Sequence, residues 1–369
     1  MKLFGDQTFA FIVATLVIGG AGIFLSAALG LLARENVSLG HIAVTQLLLG
    51  LIPGVIALLM LRFMPPSLLM KFVVPLYLFA VLLTCLVFVP GLGVHAGGAT
   101  RWIDVGPFTV QPAEFLKIGV VLMFSLYLAR MKDKIKDPRY GLMAYGLIVG
   151  IPCLILLMQP NTSTVLILGA TTAALYFLAG APWRDFAILA LIAVIAVGAL
   201  LMTRPYLVNR VTTFMNPAGD SLGKGYQIQQ SLIAIGSGGF LGRGFGQSVQ
   251  KFNYLPEPVG DSVFAVYGEE FGFLGTVFLV LLFTAFAARG FAIAAQAKDA
   301  FGSYAAAGLT LIITLSAFMN IGAMLGVLPL TGLPLPFVSH GGTALLCALA
   351  SVGIILNVAA HRGKKRAHA

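Results

Sequence analysis

The feature that most constrains this chain is the length of its apolar runs. Ten stretches of about twenty residues, with few or no charges, follow one another: 8–32, 39–63, 71–90, 111–130, 141–159, 162–180, 186–203, 262–288, 303–327 and 337–360. A bilayer core about 30 Å thick requires roughly 20 apolar residues of helix to cross it. Strands of a membrane barrel would alternate over roughly 10 residues, and these runs are longer and do not alternate. Composition points the same way: 59% of the 369 residues are hydrophobic and 10% are charged, against about 25% charged in soluble domains. In lipid, backbone polar groups must be satisfied within the segment, as a helix does. The expected fold is therefore all-α, a polytopic membrane protein with about ten transmembrane helices in a single domain over 1–369.

The net charge of +10 could suggest nucleic acid, but the basic residues sit in short loops between apolar runs. That is the pattern of the positive-inside rule. An even number of spans puts both termini on one side. With the N-terminus inside, Lys2, Arg62, Lys71, Arg130, Lys132, Lys134, Lys136, Arg139, Arg184, Arg289, Lys298, Arg362, Lys364, Lys365 and Arg366 are cytoplasmic, 15 of the 23 lysines and arginines. The segment 361–369 then reads as a short basic cytoplasmic tail. The first run has no small-residue cleavage site ahead of a polar domain, so it reads as a span rather than a removed signal. Cys85, Cys153 and Cys347 lie inside apolar runs without disulfide or metal spacing.

Two outer segments stand out, Gly91 to Val110 and Arg204 to Gly260. The second is far longer than an ordinary connection and rich in glycine. It also carries Tyr226, Ile228, Leu232, Ile235, Phe240, Phe245 and Phe252, so it should pack, as short interfacial helices joined by tight turns. The loop 204–261 is thus a large extracytoplasmic feature between the seventh and eighth spans.

Several polar groups stand where lipid penalises them. Glu114 and Lys117, three residues apart, share one helical face and read either as a structural ion pair or as the floor of a polar cavity. Glu269 and Glu270 fall about two turns beyond Asp261, at about 80° and 180° from it around a helix, so both cannot face it. Anchoring to other spans is the expectation for at least one. Asp261 itself is either a helix N-cap or a base. The same loop supplies Arg204, Arg210, Lys224, Arg243 and Lys251. Cations, glycine turns and one carboxylate together suit an anionic phosphate ligand. His41, His95 and His340 share no zinc-ligand spacing, and no nucleotide-hydrolase phosphate loop or nucleophile elbow occurs.

These residues fall in runs that resemble the SEDS family (shape, elongation, division and sporulation), whose members are of RodA and FtsW type. The runs are Gly98-Ala99-Thr100-Arg101-Trp102-Ile103, Gln111-Pro112-Ala113-Glu114, Gly225-Tyr226-Gln227-Ile228-Gln229-Gln230-Ser231, Ala234-Ile235-Gly236-Ser237-Gly238-Gly239 and Leu255-Pro256-Glu257. Asp261, Gly268-Glu269-Glu270, Pro329 to Phe337 and Ser339-His340-Gly341-Gly342 follow in order. Trp102-Ile103-Asp104 and Gln111-Pro112-Ala113-Glu114 lie slightly closer to FtsW-type, division members. The chain departs from the family at Asn161, where Gln-Pro-Asp is usual, at His340, where tyrosine is usual, and at Val259-Gly260, where His-Thr is common.

The resemblance implies ten spans and a peptidoglycan glycosyltransferase acting on lipid II in the bacterial cytoplasmic membrane. It maps the essential aspartate to Asp261 and the membrane carboxylate–lysine pair to Glu114 and Lys117. The implied partner is a single-span transpeptidase, a class B penicillin-binding protein. Expected substrate-binding residues are Arg101, Gln111, Arg210, Lys224, Arg243 and Lys251. In this reading the C4 hydroxyl of one lipid II attacks the anomeric carbon of another, undecaprenyl pyrophosphate leaves, and Asp261 takes the hydroxyl proton. One base predicts inversion. A divalent cation, Mg or Mn, could assist the leaving group. A lipid II flippase or a non-catalytic scaffold for cell-wall enzymes are the rival functions. Clustering of the unusual loops on one face favours polymerisation over transport.

Overall fold

The computed structural model describes residues 5–33, 39–96, 99–106, 108–219, 223–252 and 254–362. Lys2 and the basic residues Lys364, Lys365 and Arg366 of the tail lie outside them. Among the described residues, eight helices are long and apolar enough to cross a membrane, and Leu142–Met158 and Thr162–Leu178 are two shorter apolar helices. Together these correspond to the ten expected passages.

The first passage is α1 (Gln7–Leu29), capped by the Asp6 carboxylate, which accepts from the Phe9 amide at 2.9 Å. The second joins α2 (Leu39–Thr45) to α3 (Ile52–Phe63) through a π-helical stretch, Gln46–Leu51. The fifth is built alike, α6 (Leu142–Tyr145) and α7 (Ile151–Met158) flanking Gly146–Gly150. Both wide turns stand next to a proline, Pro53 or Pro152. A proline ring lacks an N–H and clashes with the carbonyl four residues back, and a widened turn relieves both.

The third passage, α4 (Pro66–Leu86), starts five residues before the expected 71, because Pro66 is pre-organised for a first helical position. Next come α5 (Pro112–Met131), α8 (Thr162–Leu178) and α9 (Trp183–Thr203). Past the long loop come α12 (Val263–Ala295), α13 (Ala300–Met324) and α14 (Gly342–Ala360). The last passage begins at Gly342 rather than 337. The preceding stretch holds Pro329, Pro334 and Pro336 and is not helical. The interior is formed by α5, α13 and α14, whereas none of the apolar window of α9 is buried.

Both ends of the described chain meet. Asp6 accepts from Arg289 near the end of α12 at 3.0 and 2.7 Å and from Arg362 at 2.6 Å. The termini therefore share one face, as an even number of passages requires.

The opposite face carries the two unusual segments. The first is a small sheet and not a plain loop: β1 (Gly93–Ala96), β2 (Ala99–Val105) and β3 (Phe108–Val110) pair antiparallel in that order. Thr100, Trp102, Ile103, Val105, Thr109 and Val110 are β-branched or aromatic, which suits this pleated surface. The second segment forms α10 (Pro205–Met215) and α11 (Lys224–Ser237) and then a run of turns to Ser262, as its mixed glycine–aromatic sequence suggested.

Within α12 the helix is broken at Gly272, whose φ of 64° and ψ of −160° lie outside the helical region. The break leaves a short outer segment, 263–271, whose mouth is Asp261.

Candidate active site

Asp261 stands at the turn leading into α12, on the face opposite the termini. The turn is closed by the Glu257 carbonyl, which accepts from the Gly260 and Ser262 amides at 3.0 and 3.2 Å. Three other elements hold it. From α11, Gln227 Nε2 donates to Asp261 Oδ1 and to Ser262 Oγ, both at 2.9 Å. From α13, Asn320 Nδ2 donates to the Asp261 and Leu333 carbonyls, both at 2.8 Å. From the stretch before α14, Ser339 Oγ donates to the Gly260 carbonyl at 2.6 Å, and the His340 amide to Val259 at 2.7 Å. That stretch is itself tied to the π-helical turn, where Gln46 donates to the Ser339 carbonyl and accepts from the Gly341 amide. The wide turn at Gln46 thus supports the site from below.

Burial and then the nearby Glu257 carboxylate push the Asp261 carboxyl up to about 6, against the hydrogen bonds from Gln227, its own amide and Ser262. A carboxylate so placed is mostly ionised at neutral pH yet binds a proton better than an ordinary aspartate, as a general base should. The N-cap alternative is not what the geometry shows, because the residue capping α12 is Ser262 and no side-chain cap bond is made there.

Two expected cations gather beside it. Arg210, from α10, lies within electrostatic reach of Asp261 and donates to Ser163 Oγ at 3.4 Å. Arg101, from β2, lies near Arg210 and donates to the Gln159 carbonyl at 3.3 Å and to that of Pro160. Burial lowers the pKa of both guanidiniums, that of Arg101 further through Arg210, while Tyr206 opposes the shift in each. Both remain cations in a partly desolvated setting. Asn161 sits in the same bend, buried, with Nδ2 making no hydrogen bond. Its neutrality, where the family has aspartate, leaves the two arginines without a carboxylate partner from that bend.

The other expected residues lie elsewhere. Arg243 is 41% exposed and pairs with Glu269 at 3.4 Å. Lys251, expected to meet substrate, is instead fully buried, with Nζ bonded to Ser26, Gly246 and Glu270, which leaves it no surface for a ligand. Lys224 heads α11, and its side chain lies outside the described residues, as does that of His41. Gln111 precedes α5, its amide donating to Thr343 at 3.4 Å, so it joins the start of α5 to that of α14.

Glu114 and Lys117 form an ion pair of 2.8 Å and are 7% and 12% exposed. They line a cavity of about 40 Å³ with Ser316, Leu333, Pro334 and Cys347, room for a few waters at roughly 10–15 Å³ each. The ion pair is therefore present, at the edge of a small cavity whose other walls are mostly apolar. Ile118 and Cys347 also border an apolar groove of about 420 Å³, lined by Phe72, Leu76, Phe79 and Phe115 among others.

Gln227, Asn320 and Ser339 escaped the reading of the sequence as individual residues. Their signal was present only as uncharged polar side chains within otherwise apolar or motif-bearing runs.

Comparison with known proteins places the chain as a whole. Residues 6–364 match the family described as cell cycle protein, of FtsW, RodA and SpoVE. The chain is 41% identical over 276 residues to stage V sporulation protein E of Bacillus subtilis (strain 168), covering 75% of each chain. It is 38% identical over 288 residues to the probable peptidoglycan glycosyltransferase FtsW of Geobacter sp. (strain M18), covering 78% of each. Its fold superposes on a chain from a peptidoglycan synthase complex with a TM-score of 0.77 and 30% identity, over 97% of this chain and 98% of that one. On RodA of Thermus thermophilus the TM-score is 0.70 with 28% identity, over 98% of both. With its ten helical passages and its FtsW and SpoVE relatives, the chain belongs to the FtsW/RodA/SpoVE family, the SEDS proteins.

Proposed function

We propose that this protein is a peptidoglycan glycosyltransferase that polymerises lipid II at the outer face of the bacterial cytoplasmic membrane, with Asp261 as its base. The observation that carries the reading is one carboxylate with a raised pKa, bonded by Gln227 and with its backbone held by Asn320, beside the half-buried cations Arg210 and Arg101 on a single face. FtsW relatives named peptidoglycan glycosyltransferases support the reaction class.

The chemistry follows from these groups. The acceptor's C4 hydroxyl is a weak nucleophile, and Asp261 accepts its proton as the oxygen bonds to the donor's anomeric carbon. The bond from that carbon to the pyrophosphate oxygen breaks, and the electron pair leaves with undecaprenyl pyrophosphate. A pyrophosphate departs without an acid, so no second carboxyl need protonate it, unlike the alkoxide of a glycosidase. Arg210 and Arg101 stabilise the leaving charge. A divalent cation, when bound, would supply further charge there. Magnesium is commonly held by one or two carboxylates plus phosphate oxygens, and Glu257, near Asp261, would offer one such carboxylate while Asp261 stays free as the base. The apolar groove beside the Glu114–Lys117 cavity suits part of a polyprenyl tail.

The excess of lysine and arginine on the terminal face supports cytoplasmic termini. Similarity to a chain of a synthase complex described as coordinating polymerization and crosslinking supports a class B penicillin-binding protein as partner. The test is purified protein given lipid II alone. Glycan chains on a gel are expected, and lipid II made accessible across a vesicle without any chains would favour the transporter instead.

A further inference from the structure

The break in α12 is filled by the loop that precedes it. A broken helix leaves carbonyls and amides without their usual partners. Here the Glu269 and Glu270 carbonyls accept from the Arg243 and Gly244 amides at 3.0 and 2.9 Å, and the Phe273 and Leu274 amides donate to the Gly239 and Phe240 carbonyls at 2.9 and 3.2 Å. The approach requires glycine: a Cβ on Gly242 would fall on the Glu270 carbonyl, and one on Gly272 on the Gly242 amide.

Side chains then lock the same loop. Glu269 accepts from Ser248 Oγ at 2.6 Å and from the Val249 and Gln250 amides, both at 3.1 Å. Glu270 accepts from Lys251 Nζ at 2.8 Å and from Ser26 of α1 at 2.6 and 2.7 Å. The three bonds of the Lys251 ammonium, to Glu270, Ser26 and Gly246, match its three protons. Gln250, gripped by Glu269, accepts in turn from the Leu255 amide at 2.8 Å, and Leu255 opens the turn that carries Asp261. Loop 239–251 and helix segment 263–271 thus form one clamped hairpin with Asp261 near its tip.

We infer that Lys251, Glu269 and Glu270 are positioning residues for Asp261: they stitch the loop into the break of α12 and so fix where the base stands. None of the three touches Asp261. They act through the 250–262 turn, since the buried Lys251–Glu270 pair lies about two helical turns from the mouth of α12. Breaking one partner of such a pair destabilises strongly, whereas replacing both with neutral groups of like volume is often tolerated. That difference separates positioning from mere stability.

The inference rests on the assignment of Asp261, which polymerisation by wild-type protein and its loss in Asp261→Asn establish separately. The test compares Lys251→Met/Glu270→Gln with wild type in the full purified chain, using lipid II as substrate. Expected are a melting temperature near that of wild type, kcat lowered at least tenfold, KM within threefold, and faster amide exchange confined to 252–262. The exchange reads positioning without any activity. Wild-type kcat together with wild-type exchange in a stable double variant overturns the inference. Should that variant not fold, Ser248→Ala, which deletes one hydroxyl from the clamp, takes its place. A several-fold loss of kcat with faster exchange at 252–262 supports the inference, and unchanged values of both overturn it.

Discussion

Replacing Asp261 with asparagine should make the protein inactive and at the same time more stable, by an amount that depends on pH. The carboxyl is raised from 3.8 to about 6, first by burial and then by Glu257. A folded-state pKa above the unfolded value means that the fold favours the protonated acid. The stability this provides is fully present below about pH 4 and is lost as the pH rises through 6. Two units correspond to about 3 kcal/mol at 1.36 kcal/mol per unit, and partial exposure of Asp261 reduces this to about 1–2 kcal/mol. Asparagine avoids that cost, and its Oδ1 still accepts from Gln227. The assay is thermal unfolding in detergent at pH 4.5 and pH 8. Asp261→Asn should melt a few degrees above wild type at pH 8, with a smaller gap at pH 4.5. A variant that melts lower than wild type at pH 8, or a gap that does not change with pH, would refute the reasoning.

Other consequences are as direct. Glu257→Gln removes the like charge beside Asp261, leaving Arg210 as the facing charged group, so the acid limb of the kcat/KM profile should move to lower pH from near 6. Glu114→Ala strands the Lys117 ammonium beside its cavity. It should cost about 3 kcal/mol, toward the lower end of what breaking a buried pair costs, measured as a lower melting temperature together with lost polymerisation. Cysteines placed at Lys134 and Tyr254, both exposed, should label from opposite sides of the membrane. Reaction of position 134 with an impermeant reagent in intact cells would reverse the orientation.

Much of the fold was legible because lipid permits so few backbone solutions. Apolar runs longer than a strand could only be helices, and all ten appear, within seven residues of their expected bounds. The eighth runs seven residues past its expected end, to Ala295, and the five-residue shifts at Pro66 and Gly342 came from prolines that start one helix and delay another. The sheet at 93–110 was hidden because its strands are only three to seven residues long, too short for alternation to register. Asp261 was legible as the aspartate closing a glycine-rich loop at the mouth of a span. Gln227 and Asn320 were not, since an amide in a helix shows its purpose only when the acceptor arrives from a distant part of the chain. Lys251 misled for a related reason: its charge was visible in the sequence, whereas its partners lie 19 and 225 residues away. Glu269 and Glu270 were separable by helical angle alone, but that both would grip a loop threaded through a helix break depends on the φ of Gly272.

The measurement that bears most directly on the whole account is the rate of glycan synthesis from lipid II by purified wild-type and Asp261→Asn protein, with lipid II binding measured on the same samples. A general base contributes about 100- to 10,000-fold in rate. The variant should therefore bind lipid II as wild type does while its polymerisation falls by at least about 100-fold. Undiminished polymerisation by a folded Asp261→Asn protein would contradict the assignment of Asp261 as the base and, with it, the mechanism built on this site.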